Sequence, residues 1–203
     1  MRTTTMKGTD RNTVRGMTLF EMMFTVMLIA IIYSIGSLSI RHYRTGVRID
    51  IAASRLYNTM REARSKAVKD YVNTMIIFDR NAGSYTFCLD TDLSETCDET
   101  ESVIEYPLEE GIVFGISSSP EFTGLPFHNS NPIDPILEGN DTLIFRRTGT
   151  TNLDYFSSVV YLVPAEDLNP SRERFDRFRA IDVVSTTGMA TLWSFQNGAW
   201  VTR

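Results

Sequence analysis

The chain has 203 residues, a formal net charge of −5 at pH 7, two cysteines and two histidines. This length is sufficient for one globular domain with its own core. The sequence contains no G-x-S-x-G, H-E-x-x-H or Gly-rich phosphate-loop motif, which excludes the hydrolase, zinc-protease and nucleotide-binding classes that those motifs mark. The two cysteines alone do not make a zinc site, and His42 and His128 lie in separate segments.

The first 16 residues form a short polar and basic segment. They contain four basic residues and one acid, so the chain from residue 17 onward has a net charge of −8. Residues 17–40 are mostly apolar, and Glu21 is their only charged side chain before the basic stretch that starts at Arg41. About 20 helical residues cross a bilayer, so residues 17–40 are predicted to span a membrane. Because basic residues stay on the cytoplasmic side, the rest of the chain is predicted to lie outside the inner membrane.

Glu21 is an unusual residue for a membrane helix. A single ionisable side chain costs about 2.5–3.5 kcal/mol there on insertion scales and indicates a function that involves a partner. The surrounding residues 15–21, RGMTLFE, resemble the leader junction of type IV pilins and type II secretion pseudopilins. The resemblance implies that a prepilin peptidase cuts after Gly16 and methylates the new amino terminus at Met17. It also implies that Glu21 pairs with the terminal ammonium group of a neighbouring filament subunit. The alternative is a plain single-pass anchor with an incidental glutamate.

Residues 41–69 have the period of an amphipathic helix, because apolar residues recur at spacings of three and four. No proline occurs between residues 17 and 68. The sequence therefore predicts one continuous helix, with a membrane-spanning half over 17–40 and an amphipathic half over 41–69. The apolar stripe of the second half consists of Ile49, Ala53, Leu56, Met60, Ala63 and Ala67.

Residues 70–203 are predicted to form a periplasmic, β-rich head. Tyr71–Phe78 and Tyr85–Leu89 flank a turn at Asn81–Ser84 and predict a hairpin. A long helix that leads into a mostly antiparallel sheet defines an α+β, pilin-like fold. Further strands are predicted at Val103–Tyr106, Ile112–Ile116, Thr142–Phe145, Phe156–Leu162, Ala180–Val184 and Met189–Phe195.

Three short pieces of the chain resemble the GspH/FimT/FimU subgroup of pilin-like proteins: residues 63–67, 144–149 and 182–188. The subgroup implies a non-enzymatic minor subunit without a cofactor, located at or near the tip of a type IV pilus or type II secretion pseudopilus. Its implied partners are the prepilin peptidase, other minor and major pilin or pseudopilin subunits, and the inner-membrane assembly platform. The implied location is the bacterial inner membrane, followed by the filament.

DNA binding by a minor pilin is the alternative function. One branch of the subgroup binds DNA through arginines just after a late glycine, and here residues 188–191 read GMAT without them. The remaining basic candidates are interrupted by Glu173 and Asp176, and an acidic head repels nucleic acid. The sequence favours a solvated loop or a partner-facing surface over a DNA site at these candidates, which are Arg172, Arg174, Arg177 and Arg179.

Cys88 and Cys97 are predicted to form a disulfide, because an even cysteine count in an oxidising compartment favours pairing. The acidic run that overlaps this loop has oxygen-bearing side chains at the spacing of a calcium-binding EF loop. Glu95 stands where that loop needs glycine, so a solvated acidic loop is favoured over a calcium site. The calcium candidates are Asp90, Asp92, Ser94, Asp98 and Glu101.

Residues 115–139 contain four of the seven prolines and little periodicity. Long runs without regular structure inside a compact domain are usually functional or disordered. Phe122, Phe127 and Ile133 are therefore candidates for packing against a neighbouring subunit. The favoured interpretation is that the segment covers one edge of the sheet.

Overall fold

The computed structural model describes residues 17–98, 101–117, 119, 122–126, 134–169 and 174–203, and for residues 35–42 it describes the backbone alone. The chain divides into two compact units, residues 1–42 and residues 43–203. One helix, α1 (Leu19–Asp70), contributes residues to both units. The continuous helix predicted over 17–69 is therefore confirmed to within two residues at either end.

The ends of α1 follow from local chemistry. Thr18 caps the first turn, where its Oγ1 accepts a hydrogen bond from the backbone N–H of Glu21 at 3.2 Å. At the other end, Lys69 lies in the last turn, where a cation favours the helix dipole. Tyr71 then adopts a φ of 60°, a left-handed conformation that stops the helix.

In the first unit, the described large apolar side chains of α1, which precede residue 35, are exposed, among them Leu19 at 81% and Phe20 at 79%. The predicted membrane span reaches into residues 35–42, whose side chains lie outside the described residues. Over the part of the chain that is described, no helix combines the length and hydropathy that a membrane crossing requires.

The second unit consists of the later part of α1 and two antiparallel sheets. The first sheet has the order β3-β2-β1-β5 and the second has the order β4-β6-β7-β8-β9. The α+β fold with a helix on antiparallel sheets is therefore confirmed. The strands are β1 (Asn73–Asp79), β2 (Ser84–Asp90), β3 (Ser102–Pro107), β4 (Ile112–Phe114), β5 (Thr142–Phe145), β6 (Ser157–Pro164), β7 (Arg179–Val184), β8 (Ala190–Gln196) and β9 (Ala199–Thr202). Short 3-10 helices lie at Leu137–Gly139, Ala165–Leu168 and Phe175–Arg177.

The main core lies between α1 and the inner faces of the sheets. All six residues of the predicted apolar stripe are fully buried there. They pack with alternate residues of the strands, such as Ile76 and Val160. Thr74 of β1 also donates a hydrogen bond from its Oγ1 to the carbonyl oxygen of Ala63 at 2.9 Å, which joins the helix to the first sheet. The amphipathic half of α1 is thus part of the globular core.

A second core covers the outer face of the second sheet. Phe122 is buried there, with its ring centroid 5.6 Å from that of Phe178 and 6.0 Å from that of Tyr161. Trp200 of β9 donates a hydrogen bond from its Nε1 to the carbonyl oxygen of Thr123 at 2.8 Å. The prediction that Phe122 is available to a neighbouring subunit is therefore wrong, because the head uses this side chain in its own core.

The edge-covering interpretation of residues 115–139 holds for their later part. Ile136 forms an antiparallel bridge with Val160 of β6, and the N–H of Tyr161 donates to the carbonyl oxygen of Pro135 at 2.8 Å. These residues pair with β6 beyond the end of β4, which pairs only with Leu162–Pro164. The other two candidates, Phe127 and Ile133, lie outside the described residues.

Candidate functional site

The predicted assembly site is the beginning of α1. Glu21 lies in the first turn, and both Met17 and Leu19 beside it are exposed, at 57% and 81%. Gly16, the predicted cleavage position, lies outside the described residues. The hydrogen bond to Thr18 positions the backbone of Glu21. Glu21 itself is an exposed residue.

The surface around Glu21 is apolar over several turns. Monomeric proteins rarely expose contiguous apolar patches larger than a few hundred Å², and larger patches mark interaction or membrane sites. The described part of α1 before residue 35 therefore needs cover from lipid or from another protein. Its exposed large apolar residues are Leu19, Phe20, Met22, Met23, Phe24, Val26, Met27, Leu28, Ile29, Ile31, Ile32 and Tyr33.

The disulfide between Cys88 and Cys97 is present, as predicted, with the two Cα atoms 6.2 Å apart. Cys88 is fully buried on β2, where it packs with Met75 and Ile144. Cys97 is partly buried in the loop after β2 and packs against this cluster. The bond therefore joins the acidic loop to the interior of the first sheet.

Three of the four carboxylates among the calcium candidates lie together. One carboxylate oxygen from each of Asp90, Asp92 and Glu101 lies within 4.8 Å of the others, and Asp98 is not in this group. Asp90 is fully buried, and its oxygens accept hydrogen bonds from Asn73 Nδ2 at 3.2 Å and from the backbone N–H of Ser94 at 3.1 Å. Calcium binding at this loop remains the less favoured alternative that the spacing suggests.

The other carboxylates of this group also brace the loop. Glu101 accepts from the backbone N–H groups of Thr91 at 2.7 Å and Asp98 at 3.3 Å. Hydrogen bonds from Ser94 lower the pKa of the exposed Asp92 carboxyl group. The oxygens that the spacing assigns to a cation therefore bind the loop's own N–H groups.

Most of the arginine candidates for DNA binding form ion pairs with carboxylates of the same chain. Arg177 is buried and forms a very short ion pair with Asp167 and a second one with Glu166 at 2.8 Å. Arg174 is exposed and pairs with Asp176 at 3.0 Å. Arg172 lies outside the described residues. The described ones, Arg174 and Arg177, do not form an exposed cationic surface for phosphate groups.

Arg179 is also buried, and its role is to join β7 to the helix. Its Nε donates to Asp50 Oδ1 at 2.8 Å, and its NH1 group donates to the carbonyl oxygens of Asp176 and Phe178. The candidacy of Arg177 and Arg179 for nucleic acid contacts is therefore wrong. Both guanidinium groups are needed to satisfy carboxylates and carbonyls inside the head.

Sequence reasoning missed the importance of Asp50. Besides Arg179, it accepts two hydrogen bonds from Arg203, at 2.6 Å and 3.1 Å. Partial burial opposes ionisation, but the hydrogen bonds from Arg203 and Arg179 outweigh it and lower the pKa of Asp50. The one available signal was its position beside Ile49, at the boundary of the buried stripe.

No protein-family model matches the sequence, and no curated protein matches it. Two solved structures of the minor pseudopilin EpsH from the type 2 secretion system of Vibrio cholerae resemble the fold. They show 13% and 14% identity and TM-scores of 0.43 and 0.42, and each alignment covers 72% of this chain and 97% or 96% of theirs. Likeness at this level carries no functional argument, so function is argued from the chain's own residues.

Proposed function

We propose that the chain is a minor pilin or pseudopilin, a non-enzymatic filament subunit that is first inserted in the inner membrane. The observation that carries the proposal is Glu21, a single carboxylate within an apolar surface at the first turn of α1. Its setting between Gly16-Met17 and a long apolar stretch has the pattern of pilin-like subunits. Membership of the GspH/FimT/FimU subgroup, and service in a type IV pilus or type II secretion system, are parts of the same proposal.

Glu21 would act by pairing. A carboxylate in hydrocarbon is costly, and so is the terminal ammonium group that cleavage creates at Met17. When one subunit stacks on another, the carboxylate of one meets the ammonium group of its neighbour, and pairing removes the cost of two isolated buried charges. Only one axial offset brings the two groups together, so the pair also fixes the register of the filament.

Processing prepares this pair. The proposed prepilin peptidase removes residues 1–16 on the cytoplasmic side and methylates Met17, which leaves a positive terminus four residues before Glu21. The exposed apolar side chains of α1 would first contact lipid and later the helices of other subunits. An assembly platform in the inner membrane and the other pilin or pseudopilin subunits are the expected partners.

Replacement of Glu21 by alanine tests the proposal. We expect Glu21→Ala to enter the membrane and fold normally, because removal of a charge eases membrane residence. Its recovery in sheared filaments should fall by about tenfold or more, since the neighbour's ammonium group loses its partner. The matched control is Glu62→Ala on the same helix, an exposed carboxylate that pairs with Lys66. Equal recovery of both variants in filaments would refute the role of Glu21.

Mass spectrometry of the wild-type chain from native membranes provides a second measurement for the same proposal. The expected product begins at N-methylated Met17, and in cells without the peptidase the leader should remain. A leader that stays intact in peptidase-competent cells would contradict the assignment as a pilin-like subunit.

A further inference from the structure

A groove of about 950 Å³ lies between the later part of α1 and the beginning of β8, within the second unit. One wall is the segment Gly188–Leu192, and Arg203 contributes at the border. The other wall is one face of α1, because its residues recur at helical spacings of three and four. This face presents Tyr57, Arg61, Arg64, Ser65, Val68 and Lys69. We call this feature the basic groove.

The charge of the basic groove is of one sign. Arginine and lysine side chains line it, and none of the described lining residues is a carboxylate. Two of its arginines have structural partners: Arg64 donates from Nε to the carbonyl oxygen of Thr187 at 2.7 Å, and Arg203 binds Asp50. Arg61 and Lys69 are exposed residues on the same face. They are the cations that can meet an incoming anion without loss of contacts between α1 and the second sheet.

One wall of the basic groove is also a sheet edge. β8 pairs with β7 over Ala190–Ser194, whereas β9 pairs only with Trp193–Gln196. Ala190 and Thr191 therefore extend beyond the ladder with β9, and the N–H of Arg203 donates to the carbonyl oxygen of Leu192 at 3.0 Å. An edge of this kind offers N–H and C=O groups to an added strand.

The turn that leads into this wall is tightly packed. Gly188 has a φ of 61°, and a Cβ atom on it would lie 2.7 Å from the carbonyl oxygen of Gly149. The turn before β8 can pack this closely against Gly149 only because residue 188 is glycine, and the same Cβ atom would lie 3.3 Å from Cδ of Arg64 on α1. Exposed Val68 and Met189, at 49% and 57%, add apolar surface to the groove.

We propose that the basic groove binds an extended acidic segment of a neighbouring subunit, which adds to the β8 edge as a strand. Its carboxylates would face Arg61 and Lys69, and its apolar side chains would cover Val68 and Met189. Charge complementarity argues for this occupant, since the groove is cationic and the chain as a whole carries a net charge of −5. The inference rests on the proposed function, because a filament supplies the neighbour.

A fluorescent peptide can test this chemistry on the full chain in detergent micelles. The probe is DETESVIEYPLE, the sequence of residues 98–109, which combines five carboxylates with apolar residues of high strand preference. Fluorescence anisotropy should show binding that weakens about tenfold or more in the double variant Arg61→Glu, Lys69→Glu. Replacement of the peptide's acidic residues by their amides should weaken binding to a similar degree without any change in the protein.

A matched double variant controls for net charge. Arg44 and Arg147 are exposed residues that do not line the basic groove, so Arg44→Glu, Arg147→Glu changes the charge equally and should retain binding. Equal loss in both double variants would overturn the proposal, because it would show attraction to the whole molecule only. Absence of measurable binding to the wild-type chain would also overturn it.

Backbone methylation of the peptide tests strand addition. A strand at an edge directs alternate N–H groups to its neighbour, so methylation of one alternate set should abolish binding and methylation of the other set should preserve it. Equal effects of the two sets would overturn strand addition. Binding by the Glu21→Ala variant should match that of the wild type, so a failure of the groove proposal is distinguishable from a failure of the filament proposal.

Discussion

At the scale of single residues, the charge of a side chain in this sequence is a poor predictor of whether that side chain is buried or exposed. The segment 174–179 has the composition of a solvated basic loop, yet Arg177 and Arg179 are buried. Each is paired with carboxylates: Arg177 with Asp167 and Glu166, and Arg179 with Asp50, because an unpaired buried guanidinium is costly. The carboxylates come from distant positions, such as Asp50 for Arg179. A local window of sequence does not contain that information.

Buried acidic residues illustrate the same effect with the opposite charge. Burial raises the pKa of Asp167, and the adjacent Arg177 opposes this shift. In contrast, Asp90 is buried among N–H groups of its own loop. Here carboxylates brace loops at the surface of the head. The spacing of oxygen atoms along the sequence therefore did not by itself define a cation site.

The disulfide gives a prediction at the residue scale. The double variant Cys88→Ser, Cys97→Ser should lose about 2–3 kcal/mol of unfolding free energy, because the unfolded chain is no longer closed into a loop. Chemical denaturation of the purified chain would measure the loss. Reduction of the wild type should give the same change, and it should have no effect on the variant. Full thiol labelling of native protein without reductant would contradict the bond.

At the scale of elements, local patterns predicted type and order well. Helix α1 and the first eight strands were predicted from apolar periodicity and from strand-forming residues between turns. β9 was missed, since Ala199–Thr202 is short and only Trp200 is buried. The position of Phe122 was also missed, because packing of a loop on a sheet face depends on the tertiary arrangement. The basic groove could not be predicted from the sequence for the same reason, because its two walls are more than 100 residues apart in the chain.

Phe122 gives a prediction at this scale. Phe122→Ala should cost about 3–5 kcal/mol of unfolding free energy, because the side chain is buried against four other rings and its loss leaves a cavity. The exposed Phe156, 76% accessible, is the matched control and should cost less than about 1 kcal/mol. Denaturation monitored by tryptophan fluorescence would compare the two. A similarly small loss of unfolding free energy in both variants would contradict the burial of Phe122 and indicate a surface position.

At the scale of the whole molecule, the two units differ in what covers their apolar side chains. In residues 43–203, the apolar stripe of α1 is covered by two sheets of the same chain. In the earlier unit, the described apolar side chains are exposed and need an external partner. The proposed filament provides that partner. The same helix can therefore belong to a globular head and to the proposed filament. The apolar side chains of its later half are buried within the chain, and those of its earlier half would be buried against other molecules.

Asp50 connects the helix to the second sheet and to Arg203, so it gives a prediction for the stability of the whole head. Asp50→Asn should cost about 2 kcal/mol at pH 7, because the hydrogen bonds to two guanidinium groups lose their charge. Asp141→Asn is the control, since Asp141 forms an exposed pair with Arg80 at 3.3 Å and such pairs contribute about 0–1 kcal/mol. Trp193 and Trp200 report unfolding of this unit.

Acidification should remove the difference between wild type and Asp50→Asn. The folded pKa of Asp50 lies below the ordinary value of 3.8, so the unfolded state takes up its proton first as the pH falls. The contribution of Asp50 is therefore complete well above pH 3.8, and it is lost as the pH falls through the folded pKa. Unfolding free energies measured from pH 7 to pH 3 should converge for these two proteins. A gap that widens on acidification would contradict the ionised state of Asp50 in the fold.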